Sequence, residues 1–306
     1  MRYVVTGAAG FIGSHLCEAL LEQGHSVDAI DCFTDYYDVA LKEENVRDLA
    51  VRRLDLAEDE LDFAGADGVF HLAGQPGMRS FGAVFPDYLR RNLLATQCVF
   101  EAAVVAGTKV VWASSSSVYG DAERYPTPED VRLRPNNPYG ITKAGCEQLH
   151  DAYARAFGLD AVALRYFTVY GPRQRPDMAF ARMIGALAGG ASFELYGDGS
   201  QSRSFTYVRD VVDGTIRALG ARPGTYNVGG GEEATMREVL ELLEEISGRR
   251  LDVASRPAQP GDNRRTKADT SRIEQELDWR PTTSLRDGLA RQWEWAASPI
   301  RPISSS

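Results

Sequence analysis

The feature that most narrows the possible folds is an alternation along the first half of the chain. Short apolar runs that stop at Gly, Asp or Ser are separated by longer segments in which apolar residues recur at helical spacing. Strands are expected at 3–6, 26–30, 68–71, 109–113 and 161–165, and helices at 11–23, 88–106 and 139–157. A strand covered on both faces reads as a continuous apolar run, and a parallel neighbour needs a crossover long enough to be a helix. The first half is therefore expected to be an α/β doubly wound parallel sheet. Past Gly171-Pro172 the rhythm changes: helices near 178–188, 208–219, 235–247 and 284–296, an apolar piece at 193–196, and a Pro/Gly-containing interruption at 256–261. The expected organisation is one domain over 1–171, a smaller α/β lobe over 172–300 from which roughly 203–222 returns to the first, and a tail at 301–306.

With 306 residues, 43% of them hydrophobic, the chain can bury a large core. Its 43 acidic against 34 basic residues give a formal charge of −9, which lacks the basic footprint of a nucleic-acid or membrane-surface binder. An anionic ligand would need individually placed arginines. No apolar run reaches the roughly 18 residues of a membrane span, and the opening Met1-Arg2-Tyr3-Val4-Val5 is too short for a signal peptide, so a cytoplasmic location is expected. Cys17, Cys32, Cys98 and Cys146 are scattered and read as reduced thiols; with His15, His25, His71 and His150 they show no metal-ligand spacing, and no metal is expected.

Thr6-Gly7-Ala8-Ala9-Gly10-Phe11-Ile12-Gly13 falls between the first strand and the first helix, where backbone N–H groups and the helix dipole can hold a pyrophosphate. Gly7, Gly10 and Gly13 allow the tight turn and the close approach that such a ligand needs. Asp31 ends the second strand, where a carboxylate can accept both hydroxyls of an adenosine ribose and repel a 2′-phosphate; this favours NAD over NADP. Asp55, after the third strand, is a second carboxylate that could lie beside the adenine.

Tyr139 and Lys143 are one turn apart on a helix opened by Asn137-Pro138, so they share a face. A free phenol loses its proton near pH 10, and an adjacent ammonium favours the phenolate, which makes the pair suited to act as a base. Ser114 to Ser117 follow an apolar strand and bring hydroxyls to its carboxyl end, where such sheets bind ligands.

Together these segments resemble the extended short-chain dehydrogenase/reductase family over nearly the whole chain. The blocks TGAAGFIG, HLAG at 71–74, SSSSVYG, YGITK at 139–143 and RYFTVYGP at 165–172 look like that family's successive motifs. The resemblance implies a Rossmann-type sheet with a substrate-binding lobe, NAD as cofactor, and Ser115, Tyr139 and Lys143 as catalytic residues. It implies further cofactor contacts from Phe11, Ile12, Leu56, Leu72, Ala73, Gly74 and Asn92. Gly74 replaces the family's usual alanine, a change expected to affect only packing against the cofactor.

The same resemblance points to a nucleotide-sugar 4-epimerase. Relatives that dehydrate across carbons 5 and 6 carry an Asp-Glu pair where this chain has Ser116 and Ser117, and uronate decarboxylases usually carry Glu at the position of Ser117. The block around Thr168 is similar to that of UDP-glucuronate 4-epimerases, whereas relatives acting on neutral sugars usually carry Asn there. Ser115, Ser116, Ser117 and Thr168 are thus expected to cradle the sugar carboxylate with Arg175 as a neighbouring cation. Arg182, Arg203 and Arg264 match positions where relatives bind the UDP diphosphate and uridine. Ser204 stands where relatives have Asp, a departure expected to loosen a loop. Competing readings are an epimerase of UDP-glucose or UDP-N-acetylglucosamine, a UDP-glucuronate decarboxylase, and a non-catalytic NAD-binding scaffold. A homodimer through the helices at 88–106 and 139–157 is implied by the family, although Leu89, Leu93 and Phe100 could equally face the sheet.

Overall fold

The computed structural model describes residues 1–77, 82–257 and 265–298. In chain order the first half contains β1 (Arg2–Thr6), α1 (Phe11–Glu22), β2 (Ser26–Asp31), α2 (Val39–Asn45), β3 (Val51–Arg53), β4 (Gly68–His71), α3 (Phe85–Tyr88), a π-helical stretch Leu89–Leu94, α4 (Ala95–Ala106), β5 (Val110–Ser115), α5 (Pro138–Phe157) and β6 (Ala161–Tyr166). The second half adds β7 (Thr168–Tyr170), α6 (Ala179–Gly189), β8 (Phe193–Tyr196), β9 (Ser202–Tyr207), α7 (Val208–Arg217), β10 (Gly224–Val228), β11 (Glu233–Thr235), α8 (Met236–Ser247), β12 (Val253–Arg256), β13 (Arg265–Thr266), α9 (Ser271–Leu277) and α10 (Leu285–Ala297).

Seven strands form one parallel sheet in the order β3-β2-β1-β4-β5-β6-β10. Alternate residues of its central strands serve opposite faces, as the strand period of two requires. Val5, Phe70, Val111 and Val162 pack with Leu16, Leu20 and Val211 of α1 and α7. Val4, Val69, Val110 and Trp112 pack with Val99 and Phe100 of α4 and Cys146 of α5. The first of these clusters continues into the C-terminal half through Phe180, Met183, Phe205, Val239 and Leu289, so the two halves share a core. There β9 lies between antiparallel β11 and parallel β13 and also pairs with β7, while β8 and β12 form a separate parallel pair.

Several boundaries differ from the sequence reading. The expected helix at 88–106 starts earlier, with Pro86 in its first turn, where a missing N–H is tolerated, and widens into the π-helical stretch around the fully buried Asn92. β5 runs on to Ser115, because Ser114 and Ser115 still pair with Arg165 and Tyr166; the first two serines therefore belong to the strand. The strand that rejoins the large sheet is β10, beyond the expected 203–222; within that span β9 belongs to the second sheet and α7 packs on α1. Ser204 is in no loose loop: it is buried within β9 opposite Glu233, where strand pairing fixes the backbone. The tail at 301–306 and Arg264 lie outside the described residues. Among those residues no helix is long and apolar enough to cross a membrane, and no group of His, Cys, Asp or Glu could hold a metal ion.

Candidate active site

The turn between β1 and α1 is built around a backbone that no side chain could share. Gly7 has φ +72°, and a Cβ on it would stand 2.6 Å from the Ala73 nitrogen; one on Gly13 would stand 2.0 Å from the Gly7 carbonyl oxygen. Gly10 caps α1 without a side-chain bond, so the first-turn N–H groups of Phe11, Ile12 and Gly13 are left at the positive end of the helix. Asp31 lies beside this turn: its carboxylate accepts from Ala9 N at 3.0 Å and from Phe33 N at 2.8 Å, which leaves lone pairs for two ribose hydroxyls. The buried Tyr37 hydroxyl, within electrostatic range of Asp31, has no hydrogen-bond partner among the described residues. An open glycine turn, a carboxylate with spare acceptors and an orphaned hydroxyl together suit a bound dinucleotide. Asp55 is engaged otherwise: it accepts from Arg90 Nη2 at 2.7 Å, with Leu56 buried beside it.

On the far side of the turn, the Leu72-Ala73-Gly74 segment is held by β1, with Leu72 N donating to Thr6 O at 3.0 Å and Ala73 N to Thr6 Oγ1 at 3.4 Å. Asn92 accepts from Gln75 N at 2.7 Å and donates to Thr142 Oγ1 at 3.0 Å. A Cβ on Gly74 would lie 2.9 Å from Asn92 Oδ1 and 3.4 Å from Lys143 Nζ. The glycine therefore bears on more than the packing the sequence reading expected: it makes room for the Asn92 side chain. Lys143 is buried and donates to Ala113 O at 2.7 Å, which fixes its ammonium at the end of β5.

The serine segment and α5 are pressed together. Gly140, next to Tyr139, is so close to Ser117 that a Cβ would sit 2.4 Å from the Ser117 carbonyl oxygen. Ser115 Oγ accepts from Ser117 N at 3.1 Å, starting a short 3-10 turn that carries half-buried Ser116 and Ser117 past the half-buried Tyr139. Beneath them lies a network the sequence reading missed. Ser114 Oγ donates to Glu147 Oε1 at 2.5 Å, Glu147 pairs with Arg165, and Arg165 Nη1 donates to Tyr119 OH at 2.7 Å. The signal was the position of Glu147, one further turn along the Tyr139–Lys143 face.

Thr168 begins β7, half-buried, opposite Phe205 of β9. Arg175 follows on the next loop and donates to both oxygens of Asp177, at 2.9 and 3.0 Å. Burial works against its charge, but the Asp177 carboxylate, with Tyr36 and Tyr139 nearby, outweighs this and raises the guanidinium pKa. Arg175 thus lies within electrostatic range of Tyr139. Arg182 on α6 lies 3.9 Å from Glu194 and over the Phe193 ring, and Arg203 on β9 donates to Ser202 O at 2.9 Å; both belong to the C-terminal lobe, away from the β1–α1 turn.

Residues 3–229 match the model of the NAD dependent epimerase/dehydratase family. The chain belongs to this family. It is accordingly an enzyme with NAD as its cofactor. Over 313 residues this epimerase/dehydratase family member is 42% identical to a protein of Bacillus subtilis described as an uncharacterized UDP-glucose epimerase, covering 97% of this chain and 98% of that one. It is 34% identical to a UDP-glucuronate 4-epimerase of Thermodesulfobacterium geofontis, covering 99% and 98%. A crystal structure of UDP-glucuronic acid 4-epimerase from Bacillus cereus, in complex with UDP-glucuronic acid and NAD, is 39% identical and superposes with a TM-score of 0.93 over 97% of this chain and 99% of that one.

Proposed function

We propose that this enzyme interconverts UDP-glucuronate and UDP-galacturonate by NAD-dependent epimerisation at carbon 4. The observation that carries the reading is the convergence of Ser115 to Ser117 and Arg175 on the neighbourhood of Tyr139, with Thr168 opening the strand that leads to Arg175. This groups hydroxyl donors and a guanidinium suited to a carboxylate near a phenol suited to move a proton. The named 4-epimerase relatives support the same reaction class.

In this reading Tyr139 takes the proton of the sugar 4-hydroxyl, and Ser115 hydrogen-bonds the oxygen as it becomes a carbonyl. NAD, when bound, supplies the acceptor and donor of the hydride at carbon 4. Lys143 donates to the Ala113 carbonyl from one turn further along the α5 face that carries Tyr139, and its ammonium can bind a nicotinamide ribose. The serine cradle also protects the substrate, because a 4-keto uronate is a β-keto acid, and gripping its carboxylate near the carbonyl plane opposes loss of carbon dioxide. The parts of 1–171 with α7 and β10 serve as the NAD-binding half, with contacts from Gly7, Gly10, Phe11, Ile12, Gly13, Asp31, Leu72, Ala73, Gly74 and Asn92 and looser ones from Asp55 and Leu56. The remainder to about residue 300 is mainly the nucleotide-sugar lobe, where Arg182, Arg203 and Arg264 take the UDP moiety. A second copy of the chain would cover Leu89, Leu94 and Ile141, which are 40%, 44% and 46% exposed on neighbouring helices, whereas Phe100 is buried in the core.

The second reading is 4-epimerisation of UDP-glucose, favoured by the name of the Bacillus subtilis relative. Proton NMR of incubations with UDP-glucuronate, UDP-glucose and UDP-N-acetylglucosamine separates the two. A galacturonate product from the first alone is expected; conversion of only a neutral sugar overturns the uronate cradle, and carbon dioxide release or accumulating NADH indicates a decarboxylase.

A further inference from the structure

The segment Arg175-Pro176-Asp177-Met178 closes as a turn, with Met178 N donating to Arg175 O at 3.1 Å and Pro176 at the position that favours its fixed φ. The turn places Arg175 and Asp177 so that two parallel bonds join the guanidinium and the carboxylate, from Nε at 2.9 Å and Nη2 at 3.0 Å. Asp177 is also held from another part of the molecule. Tyr36, on the loop after β2, donates its hydroxyl to Asp177 Oδ2 at 3.3 Å, and the Arg175 guanidinium lies 6.0 Å from the Tyr36 ring centroid. That hydroxyl passes close to Gly77, whose φ of +107° keeps a side chain out; a Cβ there would stand 2.9 Å from it. Burial, then the Asp177 charge, pushes the Tyr36 phenol up to about 12, so it remains a donor at neutral pH.

We infer that Asp177 is a positioning residue for the sugar carboxylate, fixing the plane of Arg175 so that its remaining N–H groups are presented to an anionic sugar, with Tyr36 bracing the pair from the cofactor-side loop. The inference rests on the uronate reading. A free arginine on a loop carries rotamer entropy that a ligand would have to overcome on binding. Two bonds to Asp177 remove that freedom beforehand and use only one edge of the guanidinium fork. They also offset much of the arginine's charge, so selectivity for a carboxylate depends on where the free donors stand. A neutral sugar makes no use of Arg175 and is indifferent to its aim.

The experiment compares wild type, Asp177→Asn and Tyr36→Phe as NAD-loaded enzymes. It measures the dissociation constants of UDP-glucuronate and UDP-glucose by calorimetry and steady-state kinetics with UDP-glucuronate. Asp177→Asn is expected to weaken UDP-glucuronate binding about tenfold, to raise KM in proportion while kcat changes less than about threefold, and to leave UDP-glucose within about twofold. Tyr36→Phe should follow in the same direction by about threefold. Asp177→Glu, which keeps the charge, should recover part of the loss. Equal weakening of both ligands would mean a structural role only, and unchanged UDP-glucuronate binding would remove Asp177 from substrate recognition; either overturns the inference while leaving the uronate reading intact. A wild-type enzyme that binds UDP-glucose as tightly as UDP-glucuronate overturns the reading and this inference with it.

Discussion

Glu147 on α5 and Arg165 on β6 face each other as a two-pronged ion pair, with Nε to Oε1 at 2.9 Å and Nη2 to Oε2 at 2.7 Å, and both side chains are less than a tenth exposed. Such a pair gives little net stability over apolar packing, but removing one member strands the other charge in a low dielectric. Glu147→Gln is therefore expected to cost about 3–5 kcal/mol in urea unfolding. Because Ser114 also donates to Glu147, the end of β5 that carries Ser115 loses a support as well. Combining Glu147→Leu with Arg165→Met should recover at least half of that loss. If Glu147→Gln unfolds at the wild-type urea concentration, the pair does not hold α5 against the sheet.

Tyr139→Phe removes the one group assigned to move the proton, yet leaves the β1–α1 turn and Asp31 untouched. Turnover of UDP-glucuronate should fall by about 10²–10⁴, the range supplied by a positioned acid–base group. Co-purified NAD, measured by absorbance after denaturation, should stay at the wild-type ratio. Turnover within about threefold of wild type would show that another group carries the proton.

The sequence disclosed the large sheet because its strands are buried on both faces, so Val4-Val5, Val69-Phe70 and Val110-Val111-Trp112 read as unbroken apolar runs. Asp31 and the Tyr139–Lys143 face were legible because their spacing relative to a strand end or a helix turn already fixes their direction. The second lobe was less legible. The apolar piece at 193–196 did mark β8, but β7, β9, β11 and β13 are two to six residues long and pair through β9 with partners distant in sequence, so neither alternation nor apolar runs marked them. The contacts of Arg175 were invisible for a different reason: Asp177 is two residues away, but Tyr36 is 141 residues from that aspartate, and only folding brings the two loops together. The burial of Ser204 was likewise set by β11, which no local pattern announces.

Gly74 offers a test of how tightly the lysine is placed. A methyl group there would meet Asn92 Oδ1 at 2.9 Å, and Asn92 cannot swing away cheaply because it is fully buried and bonded to Gln75 and Thr142. The entropy gained by replacing glycine is about 0.4–1 kcal/mol, less than the 1–3 kcal/mol typical of overpacking. Gly74→Ala is thus expected to lower stability by about 1 kcal/mol. It should also reduce kcat several-fold as Asn92 shifts beside Lys143, whose Nζ would lie 3.4 Å from the methyl group. A variant as stable and active as wild type would show that Asn92 and Lys143 have slack that the distances do not suggest.

Two buried histidines should make stability fall on mild acidification. His71 is enclosed between Thr6 Oγ1, 2.8 Å from Nδ1, and Thr96 Oγ1, 3.0 Å from Nε2. Burial first, and then the ammonium of Lys143, lower its pKa to about 3. His15, buried on α1 with Nδ1 2.9 Å from Phe11 O, is held at about 4, again chiefly by burial. In the unfolded chain both titrate near 6.5. Stability from these neutral rings is therefore complete above pH 6.5 and erodes as the pH falls, since the unfolded state takes up protons that the folded state refuses until about 4 and 3. Each ring contributes a slope of about 1.4 kcal/mol per pH unit in that window. His71→Gln keeps a hydrogen-bonding side chain but cannot titrate, so between pH 7 and 5 wild type should lose about 2 kcal/mol more than the variant in urea unfolding. Parallel losses in the two proteins would show that His71 takes up its proton in the folded state, which would require Thr6 and Thr96 to accept a charged ring beside Lys143.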